Sequence, residues 1–302
     1  MTWLIITISF YLILAIVFLV DKYLLTGLIP NPGVYTFYVG VLGILALILV
    51  PFVGFYVPAP YQIILSLLAG AIYVCALFWF YKALSLFEAS RVVPAINGLV
   101  PLFTFGLVYF SSLEKETLSL RGIIAFILLV LGSIFITLEK KKLINLKGFQ
   151  TSVLTALLLS SAFTLTKYVY LGQPFWNGFI WTKIGGFLTA FLLFLFMPEI
   201  RKEIFREKAT FQKRTFGIFI LNQTAGAGAN ILQNLAFALV PLAYLAVVNA
   251  LQGIQYVFLL IFTAVLSVKF PQVLKEEISK KIILQKAAAV LLIGGGLALL
   301  MF

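Results

Sequence analysis

The sequence predicts an all-α integral membrane protein whose ten transmembrane helices form two inverted five-helix repeats. Three observations lead there. Apolar residues make up 63% of the chain and charged residues 11%, with a mean hydropathy of +1.12, far outside the range of soluble domains. Ten apolar runs are each long enough to cross the hydrocarbon core, which takes about 20 residues of helix. The two halves match when one is slid over the other, and five spans per half, an odd number, sets the halves in opposite membrane orientations.

The runs lie at 3–26, 34–56, 61–82, 92–112 and 119–138, then at 149–171, 175–197, 215–238, 242–267 and 282–301. The first, Trp3 to Val20, lacks the basic leader and small-residue cleavage site of a signal peptide and reads as a retained span. Turn-formers such as "GLIPNPG", "YVPAPY" and "GQPFWNG" separate the runs, as do the charge-rich "LEKKKLINLKG", "MPEIRKEIFREKATFQKR" and "KFPQVLKEEISKK". The first basic stretch divides the chain near its middle, into 1–142 and 143–302. Across that division Lys22, Tyr23, Gly33 and Gly40 fall on Lys167, Tyr168, Gly178 and Gly185 at one offset. At a second offset Ala83, Leu84, Val92, Val93, Ala95, Gly98 and Phe103 fall on Ala238, Leu239, Val247, Val248, Ala250, Gly253 and Phe258.

Composition also narrows function. The net charge of +12 sits almost entirely in short segments between apolar runs, where it meets lipid headgroups, so nucleic acid is not an expected partner. The lone cysteine, Cys75, excludes an internal disulfide. With no histidine, the usual metal sites and histidine-based acid–base catalysis are closed off, and no cofactor and no enzymatic activity are expected. "GAGAN" is no phosphate loop, since no Gly-Lys-Ser/Thr follows it, which argues against ATP-driven pumping by this chain.

The stretch "FYKALSLFEASRVVPAINGLVPLFTFGLVYFSSLEKETLSLRGIIAFILLVLGSIFI", residues 80–136, carries an aromatic-x-Ala-Leu segment, then Pro101 in the fourth run, a turn at Glu116 to Ser119, and Leu131–Gly132 in the fifth. In order and spacing it resembles the drug/metabolite transporter superfamily, and within it the EamA-type ten-span carriers. The resemblance implies a carrier without naming its cargo. The chain departs from it where Gly253 or Tyr256 stands in place of the ninth-span proline, and where Tyr38 and Lys183 occupy a region that often holds an arginine.

An ionisable side chain near the bilayer centre costs at least about 2.5 kcal/mol on insertion scales, so each must snorkel to the interface or serve the protein. Lys22, Lys167 and Lys183 meet this condition, and Asp21 is the one carboxylate well inside a run. Snorkelling and a charge or coupling role both remain open for Lys22 and Lys167. For Asp21 the expectation is a partner on another helix or a proton-coupling role. The densest polar signal lies at 221–256, where Gln223, Asn230 and Asn234 share one helical stripe and Asn249, Gln252 and Tyr256 another. Asn97, flanked by Pro94 and Pro101, aligns with Gln252, while Trp79 and Tyr81 add aromatic surface. These residues read either as helix glue or as the lining of a central cavity suited to a small polar organic ligand.

The leading expectation is therefore a secondary transporter of a small polar metabolite in a plasma (inner) membrane, working by alternating access between the repeats. A flippase for a lipid-linked sugar or amphiphile is the alternative within transport, and a non-transporting scaffold or receptor the alternative outside it. Gly294 and Ala298 have the spacing of a homodimer face, with intramolecular packing as the other reading. Lys and Arg of the connections cluster in the odd-numbered ones, the even-numbered ones holding only Lys115 and Arg121. The positive-inside rule then sets both termini outside, whereas the resemblance implies both inside.

Overall fold

The computed structural model describes residues 2–24, 31–86, 89–111, 118–137, 146–205, 213–269 and 280–301. These residues are all-α. In chain order the helices are α1 (Thr2–Tyr23), α2 (Pro32–Leu42), α3 (Pro60–Leu86), α4 (Ala89–Ser111), α5 (Leu120–Thr137) and α6 (Leu146–Gly172). They continue with α7 (Phe175–Phe196), α8 (Pro198–Ile204), α9 (Lys213–Leu239), α10 (Leu245–Ala250), α11 (Gly253–Lys269) and α12 (Lys280–Met301). Of the sequence readings, the turn residue Glu116 lies outside the described set, and so do the side chains of Lys22, Pro94 and Asn97.

Six stretches among the described residues are long and apolar enough to cross a membrane: Thr2–Asp21, Pro32–Phe52, Pro60–Leu86, Lys147–Gly172, Phe175–Phe196 and Leu242–Leu259. They fit a multi-pass membrane protein. The apolar helices Gly98–Ser111, Leu120–Phe135 and Leu284–Leu300 are shorter, and α9 carries too many amides along its length to join the six.

Two expected spans are not single α-helices. The second begins as α2, whose first turn is closed by Asn31: its Oδ1 accepts from the backbone N–H of Gly33 and Val34, with Pro32 at the opening position. From Gly43 to Phe52 it tightens into a 3₁₀ helix ending around Pro51. The ninth is interrupted at Leu251–Gln252 between α10 and α11. The break frees carbonyls, and side chains from elsewhere take them up: Tyr11 Oη donates to Val248 O at 3.1 Å and Ser133 Oγ to Ala250 O at 3.0 Å. All of α10 is buried.

Glycine lets the helices approach to backbone distance where the bundle is tightest. A methyl at Gly70 of α3 would overlap the Thr182 carbonyl of α7, and one at Gly185 of α7 would overlap the backbone of Leu67 on α3. Elsewhere α5 and α12 cross by a reciprocal contact. A Cβ on Gly132 would lie 2.6 Å from Ile293 and 3.1–3.2 Å from its backbone and that of Ala289, while one on Gly296 would lie 2.8 Å from Leu129 and 3.1 Å from the Ala125 carbonyl. Each glycine meets the residues three and seven positions before the other, which requires the two helices to run antiparallel. Of the expected dimer face, Gly294 has open space at its Cα.

Candidate functional site

A cavity opens between α3, α6, α7 and α9, lined by Tyr73, Phe163, Thr166, Thr182, Lys183, Asn230, Gln233, Asn234 and Phe237. Apart from Tyr73 on α3, these residues come from the second half of the chain. The tight seat of α7 on α3 at Gly70, Gly185 and Gly186 presents Lys183 and Thr182 beside Tyr73. The Lys183 Nζ donates to Asn230 Oδ1 at 2.6 Å and stands 5.2 Å from the Phe179 ring centre and 6.0 Å from that of Tyr73, within reach of cation–π attraction. Among the described residues it forms no ion pair.

The amides at this site are ordered as a chain. Tyr170 Oη donates to Asn234 Oδ1 at 2.7 Å, and Asn234 Nδ2 donates to the Asn230 carbonyl at 2.8 Å and to Asn230 Oδ1 at 3.1 Å. Asn230 Oδ1 thus receives both Lys183 and Asn234, and the orientation of the lysine is fixed from α9. One turn apart on a helix, Asn230 and Asn234 behave as the sequence stripe requires. The space they border allows the centre of a water molecule to move through only about 20 Å³, enough for roughly one or two waters and too little for an organic ligand without rearrangement.

The third member of that stripe, Gln223, sits with a different group. Asp21 on α1 accepts from Tyr35 Oη and, at 2.7 Å, from Asn222 Nδ2, both at the same carboxylate oxygen. Gln223 Nε2 donates to Tyr35 Oη at 3.3 Å, and Tyr81 packs edge-on against Tyr35 with ring centres 4.8 Å apart. Asp21 therefore does have partners on other helices, α2 and α9, and they are neutral.

The remaining predicted residues lie apart from the cavity. Asn249 is buried and donates through Nδ2 to Thr104 Oγ1 of α4 at 2.9 Å, joining α10 to α4. Gln252 is half-buried in the turn after α10, its backbone N–H on the Asn249 carbonyl. Tyr256 packs on the core around Tyr11. Trp79 lies under Lys82, whose Nζ is 4.7 Å from its ring centre. Lys167, 3% exposed, donates to the carbonyls of Ala238 at 3.2 Å and Val240 at 2.6 Å, where α9 runs out of N–H partners. That is neither snorkelling nor a place in the cavity.

Sequence reasoning missed Thr182, Thr166, Gln233, Tyr73 and Asn222. Asn222 was open to discovery, because a carboxylate in a span needs donors and an amide adjoined Gln223. Thr182 gave no signal, since Ser and Thr in helices ordinarily bond the carbonyl four residues back, as Thr36, Ser66 and Thr189 do here.

In structure the chain is similar to a protein solved by crystallography, with a TM-score of 0.67 and 16% identity, over 97% of this chain and 94% of that one. No family model and no curated protein sequence matches.

Proposed function

We propose that the chain is a secondary transporter with an EamA-type architecture, two inverted five-helix repeats carrying a small polar metabolite past Lys183. The observation that carries this reading is the cavity itself. A cation, three amides and hydroxyl groups gathered around a space inside an apolar bundle cost free energy that packing alone would avoid by apolar residues. The antiparallel, reciprocal crossing of α5 and α12 supports the inverted relation: a two-fold axis that exchanges antiparallel helices lies across them, in the plane of the membrane.

A second pair of contacts supports it. Ser160 of α6 donates to the Val100 carbonyl of α4 at 2.9 Å, and Gln255 of α11 donates to the Leu14 carbonyl of α1 at 3.2 Å. Under the sequence offsets Val100 corresponds to Gln255 and Ser160 to Ala15, next to Leu14, so one interface recurs with the donor on the opposite helix. In this reading the cavity corresponds to a contracted state, and substrate entry requires the helices around Lys183 to part. Asp21, held by neutral donors, is the coupling carboxylate.

The test is reconstitution of the purified chain into liposomes, with ligands first selected by thermal shift. Selected ligands should exchange across the bilayer, and Asp21→Asn should abolish accumulation driven by a proton gradient while sparing exchange. Ligands that bind yet never cross in either mode would assign the chain to receptors rather than carriers.

A further inference from the structure

We infer that the Lys183 cavity recognises the carboxylate of a small organic acid whose body is apolar or aromatic; this rests on the transport reading of the same site and names its substrate class. Among the described residues the Lys183 ammonium in this cavity forms no ion pair with a carboxylate. Among the described residues its one hydrogen bond goes to a neutral amide, which leaves two of the three ammonium donors for another acceptor. A cationic substrate would meet repulsion here, and a neutral one would leave the charge without a counter-charge inside an apolar bundle.

The second observation is independent of the lysine. Thr182, 9% exposed and lining the cavity, carries a buried hydroxyl with no hydrogen-bond partner. Only Thr164 shares that condition among the described residues, and it does not line this space. Adjacent to Thr182 in sequence, Lys183 supplies charge where Thr182 supplies a directional donor. An ammonium and a hydroxyl together suit the two oxygens of a carboxylate. The rings of Phe163 and Phe237, 5.1 Å apart, form the apolar wall on which the body of the acid would lie.

Asp21 belongs to a separate hydrogen-bonded cluster: its donors are Tyr35 and Asn222, whereas Lys183 is held by Asn230, eight residues further along α9, roughly 12 Å at 1.5 Å per residue. The inference concerns the pole that Lys183 supplies, an acid held by its carboxylate.

The experiment uses the full-length protein in detergent with three probes that share a phenyl ring and differ in head-group charge, benzoate, benzamide and benzylamine, read by thermal shift and by equilibrium binding. Benzoate should stabilise the protein, with benzamide and benzylamine weaker by about tenfold or more, the scale of a lost charge-assisted hydrogen bond. Lys183→Gln should remove the preference for benzoate and Lys183→Arg should retain part of it. Because the Thr182 hydroxyl has no partner among the described residues, Thr182→Val should keep or raise the melting temperature without ligand while weakening benzoate binding. Equal binding of benzoate and benzamide, unchanged preference in Lys183→Gln, or no binding of benzoate would each overturn the carboxylate assignment. If benzamide or benzylamine binds and exchanges across liposomes instead, transport stands and only the substrate class falls. If benzoate binds at Lys183 without crossing, the recognition stands and transport falls.

Discussion

Lys167 and Lys183 lie on consecutive helices of the same apolar bundle and are held in contrasting ways. The ammonium of Lys167 is fastened to two carbonyls at the end of α9, closing off acceptors that the helix itself cannot satisfy. That of Lys183 touches one amide oxygen and two ring faces at the edge of an open space. Lys167 is buried and Lys183 half-buried, a difference of degree. What separates them is the acceptor: backbone carbonyls at a helix end are permanent features of the fold, whereas a single amide beside a cavity leaves room for a ligand. Asn249 and Asn230 repeat the contrast among the amides, one bonded across to Thr104 and the other facing the cavity.

The largest expected effect removes the frame on which the contrast depends. Gly70→Leu forces a side chain into the α7 backbone, and the protein should fail to give a monodisperse peak on gel filtration; normal folding would mean the α3–α7 seat is looser than its glycines imply. Next comes Lys167→Met, which strands the α9 carbonyls and should cost about 2 kcal/mol, the range for hydrogen bonds to charged groups. A clear drop in melting temperature with uptake per folded molecule preserved is the expected pattern, and loss of uptake at unchanged stability would move Lys167 into the transport machinery.

Asn249→Leu should cost about 1 kcal/mol of stability, typical of an interhelical amide bond, with ligand affinity unaffected. Asn230→Leu should do the reverse, lowering affinity more than melting temperature, because it frees Lys183 from its amide anchor. The smallest effect on stability is expected for Lys183→Met, which removes a poorly compensated charge: melting temperature should hold or rise while ligand-dependent uptake disappears. A fall in stability comparable with that of Lys167→Met would erase the distinction between the two lysines.

Much of this was legible in the chain. Apolar runs of helical length located the helical segments, since a bilayer admits few other solutions for a sequence so poor in charge. The amide stripe on α9 correctly joined Asn230 to Asn234, because residues four apart share a helix face whatever surrounds them. The same stripe failed at Gln223, seven residues earlier: two turns up the helix the neighbours change, and Tyr35 and Asp21 replace Lys183. Of the two readings open for Asn249, cavity lining and helix glue, the structure gives an interhelical bond to Thr104, for a related reason. Periodicity gives the direction of a side chain within its own helix, and the break at Leu251–Gln252 together with the packing of α10 on α4 decides what that direction faces.

Sequence by itself determined the solvent this chain is made for, the helices, their approximate ends and the inventory of polar groups that those helices carry, because each follows from composition and from period along a single strand of chain. Only the tertiary structure decided which lysine closes a helix and which borders a cavity. Lys167 and Lys183 look alike in sequence, each a lone cation in an apolar run beside a threonine. Their difference lies in partners contributed by α9, dozens of residues away, and a hydrogen bond between distant segments leaves no trace in the local pattern of either one.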